Sequence, residues 1–88
     1  MNYGIELSRI ALKSMTKIPK MELVRIKHKI DALAINPRPS DIKKIHGDEN
    51  LYRIRSGNYR ILYRIFDETI CILIVDVDHR KDIYKHMK

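Results

Sequence analysis

The chain has 88 residues and carries 18 Lys and Arg against 11 Asp and Glu, a formal net charge of +7. Ile, Leu, Val and Phe fill 26 of the 88 positions, above the ~20% level below which disorder is expected. The length fits a single domain over residues 1–88 and excludes a two-domain enzyme built around a large cofactor crevice.

Chain order begins with Tyr3, Ile5 and Leu7 alternating with polar or small neighbours, the pattern of a short half-buried strand. Ser8 then suits an N-cap, and residues 9–17 read as a short helix with Ile10, Ala11 and Met15 on its apolar side. Pro19 fits the first turn of a second helix over residues 19–35, where its missing N–H is not needed. Leu23, Ile26, Ile30 and Leu33 form one apolar stripe on that helix. Asn36 stands before Pro37, and the residue before a proline is pushed out of the helical region, so the helix ends there. So few residues join the two helices that they are expected to pack as an antiparallel hairpin.

From Ile42 the period becomes strand-like. Ile42–Ile45 begins a strand, and Leu51–Arg55, Tyr59–Phe66 and Thr69–Val77 follow as a meander. The order β-α-α-β-β-β predicts an α+β fold, with a helical hairpin packed on one face of a small, mainly antiparallel sheet. Gly57-Asn58 reads as a two-residue hairpin loop, which pairs Ser56 with Tyr59 and Arg55 with Arg60. Arg53, Arg55, Arg60 and Arg64 then project from one side, with Tyr59, Ile61, Tyr63 and Ile65 under the helices. A turn at Asp67-Glu68 would pair Phe66 with Thr69. It would set Cys71, Leu73, Val75 and Val77 on the arginine side, and Ile70, Ile72 and Ile74 on the other. Cys71 is expected to be an inert packed residue, and as the lone cysteine it excludes a disulfide framework and a cysteine-based zinc site.

Residues 51–66 hold four arginines and no acid. Like charges directly opposite in a sheet cost a few tenths to ~1 kcal/mol, so stability alone does not call for them. Two readings are open: a solvated strand face, or a concave phosphate-binding surface. Arginine suits the second because its planar fork stays charged and grips phosphate bidentately. Leu62, Leu73 and Val75 lie between the charges and give a mixed floor that could also receive an apolar segment of a partner. The basic balance points to acidic partners, nucleic acid or an acidic polypeptide. No stretch nears the ~18 apolar residues of a membrane span, and no apolar run near the start suits a secretion signal. A cytoplasmic protein is therefore expected, with no membrane partner.

The run Tyr52-Arg53-Ile54-Arg55-Ser56-Gly57-Asn58-Tyr59-Arg60-Ile61-Leu62-Tyr63 resembles the hairpin of the RelE/ParE superfamily of toxin–antitoxin toxins, its RelE branch in particular. So does the later stretch Val75-Asp76-Val77-Asp78-His79-Arg80-Lys81-Asp82-Ile83-Tyr84, a strand ending in His-Arg with a tyrosine soon after. The N-terminal β-α-α part fits as well, so the resemblance spans essentially the whole chain. It implies an RelE-like mRNA interferase, an endoribonuclease that enters the ribosomal A site and cuts mRNA there without a metal or other cofactor. In that chemistry the ribose 2′-OH attacks the adjacent phosphate and the 5′-oxygen leaves with a proton.

By the resemblance, Arg53 and Arg55 occupy the place of two basic residues that hold the RNA backbone, with Arg64 on the same RNA-binding face. Arg60 matches the arginine that grips the scissile phosphate. Arg80 matches the one that stabilises the leaving group or transition state. Tyr84 matches a C-terminal tyrosine that stacks on a base or helps take the 2′-proton. Where the family often has lysines, positions 53 and 55 have arginines, which cannot act as bases and so read as electrostatic clamps. His79, expected on the arginine side, is a candidate general base or acid, and His86 is a further one. His28 and His46 read as surface residues, and the four histidines lack a ligand spacing, so no metal is expected. The resemblance also implies a cognate RelB-like antitoxin as partner in a hetero-oligomer. The rival reading is a ParE-like DNA gyrase inhibitor of the same fold without nuclease activity. Gyrase poisons of the superfamily generally lack the arginine-plus-tyrosine pair present here.

Overall fold

The computed structural model describes residues 2–48 and 50–79. Its elements are β1 (Gly4–Leu7), α1 (Arg9–Met15), α2 (Lys20–Ile35), β2 (Lys43–Lys44), β3 (Leu51–Ser56), β4 (Tyr59–Phe66) and β5 (Cys71–His79). The five strands form one sheet in the order β1-β5-β4-β3-β2. Every pairing is antiparallel except that of β1 with β5, which is parallel and sets Ile5 beside Ile72. The α+β class and the mainly antiparallel sheet are as expected.

Local chemistry accounts for the helix ends. The Ser8 hydroxyl oxygen accepts the Ala11 N–H at 3.0 Å and caps α1. Pro19 occupies the N-cap of α2 rather than its first turn, one residue earlier than expected, and Glu22 supplies an acid near the positive end of the helix dipole. Asn36 is extended ahead of Pro37, as the proline requires. The expected stripe of α2 is inward: Ile26, Ile30 and Leu33 are buried and Leu23 packs against them. Ala11 and Met15 of α1 are also buried, but Ile10 is half exposed rather than on the inner side. The short α1 lies over β5, and α2 lies against β1 and β3. Both meet the sheet face formed by Ile54, Ile61, Tyr63, Ile65, Ile72 and Ile74.

The β3–β4 hairpin turns at Gly57-Asn58 in the expected register, Ser56 with Tyr59 and Arg55 with Arg60. Gly57 has φ +59, which glycine adopts without steric cost, and a Cβ there would meet the Glu22 carboxylate at 3.2 Å. Two expectations for β5 are corrected. The turn after Phe66 takes four residues rather than two, so Phe66 pairs with Cys71 and not with Thr69. A change of two leaves side-chain parity intact, so Ile72 and Ile74 still face the core; Ile70 leaves the strand and turns with φ 51. Further along, a register shift between Leu62 and Tyr63 moves Val77 off the arginine side and into the core, where it is fully buried opposite Ile61.

The β4–β5 turn is clasped from two directions. The Tyr3 hydroxyl donates to the Asp67 carboxylate at 2.8 Å, and Arg38 donates to both its oxygens at 3.2 and 2.9 Å. The Arg38 guanidinium, and then the Tyr3 hydroxyl, hold the Asp67 carboxyl below its ordinary value. A carboxylate whose folded-state pKa is depressed stabilises the fold above its unfolded value of about 4, and that contribution disappears as pH falls through the lowered one. Replacing Asp67 by Asn is accordingly expected to lower the urea midpoint at neutral pH and to flatten its decline below about pH 4. Urea titrations at a series of pH values check this; parallel curves for the two proteins would contradict it.

Candidate functional site

Strand alternation builds the site. In β3 the odd positions Leu51, Arg53 and Arg55 face away from the helices, as do the even positions Arg60, Leu62 and Arg64 of β4. Arg55 stands directly opposite Arg60, and Arg53 opposite Leu62. On the outer side Lys43 of β2 pairs with Arg53 and adds a fourth cation to the cluster. Side chains two apart along a strand lie ~7 Å from one another, and neighbouring strands are ~4.8 Å apart. Lys43, Arg53, Arg55 and Arg60 therefore share one corner of the sheet near the hairpin tip. Their floor is apolar: Leu51 and Leu62 are buried against Ile45 and Val75.

Arg64 does not belong to that corner. It sits four residues from Arg60, ~13 Å along the strand, and donates to the Asp48 carboxylate at 2.6 Å. The Arg64 hydrogen bond holds the Asp48 carboxyl below the usual range, so the pair ties the β2–β3 loop to β4. Sequence reading missed this partner because it lies outside the acid-free run 51–66. It also missed Asp78, the register partner of Arg60 on β5.

The expectation that His79 lies on the arginine side is corrected. The register shift in β5 sets it opposite Tyr59, and the two rings meet edge to face with centroids 5.7 Å apart. With Ser14, Lys17, Ile18, Tyr59 and Asp78 it lines a cleft at the C-terminal end of α1. Arg80, Tyr84 and His86 lie outside the described residues. Cys71 is half buried, and desolvation, with Glu6 nearby, pushes its thiol up, the opposite of an activated nucleophile. Among the described residues no three His, Cys, Asp or Glu gather to hold a metal ion, and no helix is long and apolar enough to cross a membrane.

Such a corner can grip a phosphodiester and stabilise the extra charge of a five-coordinate phosphorus. Guanidinium groups cannot accept its protons, so proton transfer falls to other side chains.

Known proteins share both the sequence and the fold. Residues 5–84 match the family described as the ParE toxin of type II toxin-antitoxin systems, parDE. A RelE1 protein of Methanocaldococcus jannaschii is 30% identical over 98% of this chain and 99% of its own length. The mRNA interferase toxin RelE of Escherichia coli K12 is 28% identical over 92% of this chain and 86% of the relative. Among solved structures, the archaeal RelE–RelB complex of Pyrococcus horikoshii aligns with a TM-score of 0.80 and 28% identity, over 91% of this chain and 97% of the other.

Proposed function

The chain belongs to the RelE/ParE superfamily of type II toxin–antitoxin toxins, and from that premise we propose that it is a ribosome-dependent mRNA endoribonuclease that inhibits translation in the cytoplasm. The observation that carries this reading is the guanidinium corner of Arg53, Arg55 and Arg60 over an apolar floor. Arg53 and Arg55, with Lys43, hold the RNA backbone by charge. Arg60 binds the scissile phosphate, and its fork stabilises the charge that builds on the non-bridging oxygens when the 2′-oxygen attacks. Arg80 stabilises the departing 5′-oxygen. Tyr84 stacks on a base or assists the 2′-proton transfer, whereas His79 packs on Tyr59 on the other side of the sheet and has no part in the scheme. Arg64, already engaged by Asp48, serves the outer part of the RNA-binding face. No cofactor enters this scheme.

Several relatives are found as RelE–RelB complexes, which supports a RelB-like antitoxin as partner in a hetero-oligomer. A partner that binds only the folded toxin stabilises it by mass action.

In vitro translation followed by primer extension on the mRNA tests the function. Cuts within A-site codons that require ribosomes are the expected result. The family match described as ParE favours one other reading, a DNA gyrase inhibitor. Intact mRNA together with gyrase-linked DNA breaks would establish that alternative instead.

The clamp roles make a separate prediction. Arg53→Ala and Arg55→Ala should each weaken binding to single-stranded RNA across sequences and reduce the slope of log affinity against log salt by about 0.7. Filter binding at several salt concentrations measures it. An unchanged slope in both variants would remove these side chains from the RNA contact.

A further inference from the structure

The last strand does not run in simple register with its neighbour. From Phe66 with Cys71 to Tyr63 with Ile74, β4 and β5 pair one to one; beyond the shift Leu62 pairs with Asp76, Arg60 with Asp78 and Tyr59 with His79. One residue of β5, Val75, is extra. Undisturbed pairing would set Arg60 opposite Val77 and Tyr59 opposite Asp78, and would bring Asp76 opposite Ile61. The bulge thus decides which groups stand beside Arg60 and Tyr59.

Helix α1 and its cap fasten this irregularity at both ends. The Ser8 N–H donates to the Ile74 carbonyl at 2.9 Å, and its hydroxyl donates to the Val75 carbonyl at 2.6 Å. At the other end of α1 the Ser14 hydroxyl donates to Asp76 Oδ1 at 2.9 Å, and the same oxygen accepts the Val77 N–H at 2.8 Å. Asp76 is fully buried. A buried carboxylate is a poor source of stability compared with an apolar residue of similar size, and its best-attested use is to pin a register. Bulges gather beside active sites, where they re-aim side chains.

We propose that α1 is a splint for the β5 bulge, with Ser14 and Asp76 as positioning residues. Their bond fixes the register of residues 76–79 and thereby the groups that flank Arg60 and Tyr59. The link to activity rests on the nuclease reading above; the link to register does not.

Four variants test both links. Ser14→Ala and Asp76→Val remove the bond, whereas Ser14→Thr keeps the hydroxyl and Asp76→Asn keeps the accepting oxygen. Because the His79 and Tyr59 rings meet edge to face, the His79 proton NMR shifts report the register without any assay of activity. In Ser14→Ala and Asp76→Val these shifts should move, and single-turnover cleavage of ribosome-bound mRNA should fall at least about tenfold, toward the ~100-fold that a small misplacement can cost. Ribosome binding should change far less. Ser14→Thr and Asp76→Asn should restore both readouts. Should Asp76→Val fail to fold, the Ser14 pair decides. Unmoved His79 shifts in Ser14→Ala would overturn the splint, and moved shifts with full cleavage would overturn the positioning role. A wild-type protein that leaves ribosome-bound mRNA intact would refute the nuclease reading, while the NMR arm would still judge the bulge.

Discussion

Arg60→Ala is expected to lower ribosome-dependent mRNA cleavage by roughly 100- to 1,000-fold, the loss typical when one preorganised donor to a developing negative charge is removed. The same variant should fold nearly as well as the parent. Arg60 stands between Arg55 on β3 and Asp78 on β5, and a cross-strand charge pair of either sign is worth only a few tenths to ~1 kcal/mol. The pairing of these outcomes is the diagnostic point: a side chain whose loss costs the fold little and the reaction much is kept for work. Growth arrest on expression and cleavage in a translation extract measure the first outcome, and thermal melting of the purified variant measures the second. Full toxicity of Arg60→Ala would take the arginine corner out of the chemistry.

The largest stability effect is expected at Tyr63. It is fully buried in the core, its ring stacks on Tyr52 at 5.9 Å, and its hydroxyl donates to the Pro37 carbonyl at 2.8 Å. Burial pushes that hydroxyl's pKa far up, so it stays a proton donor across the working range. Tyr52 in turn carries the Arg38 guanidinium 5.6 Å above its ring, and Arg38 closes on Asp67. Tyr63→Ala removes the ring at the root of this chain and should cost about 3–5 kcal/mol. In a domain of this size that lowers the melting temperature by well over ten degrees, at ~4–8 °C for each kcal/mol. Tyr63→Phe keeps the ring and leaves the Pro37 carbonyl without its donor, so a loss of about 1 kcal/mol is expected. Denaturant titration of both variants separates the two contributions. Equal losses would show that the hydroxyl, not the ring, holds this region together.

Much of the fold could be read from the residues because its signals are local. The stripe on α2, the cap at Ser8 and the stop before Pro37 each need only a few neighbouring side chains. The same holds for the Gly57-Asn58 turn, whose two residues alone dictate the Arg55–Arg60 pairing. What escaped was non-local. The parallel pairing of β1 with β5 joins segments at opposite ends of the chain. The bulge at Val75 is held by Ser8 and Ser14, two residues of another element more than sixty positions away. Parity counting along β5 cannot foresee it, which is why the alternation alone puts Val77 and His79 on the arginine side. The longer turn after Phe66 did no such harm, since two added residues restore the alternation. For the site, the corner of Arg53, Arg55 and Arg60 was legible. Asp48, which binds Arg64, and Asp78, the register partner of Arg60, were not, because each enters from outside the arginine-rich run.

The parallel pairing of β1 with β5 also bears on when the arginine corner is completed. β1 is made more than sixty residues before the β5 strand it pairs with, as the Gly4–Cys71 register shows. Contacts so far apart in sequence form late. A nascent chain halted midway would hold α1 and α2 but have no strand for β1 to join, no bulge and no flank for Arg60. The flank of the arginine corner is therefore complete only once β5 has emerged.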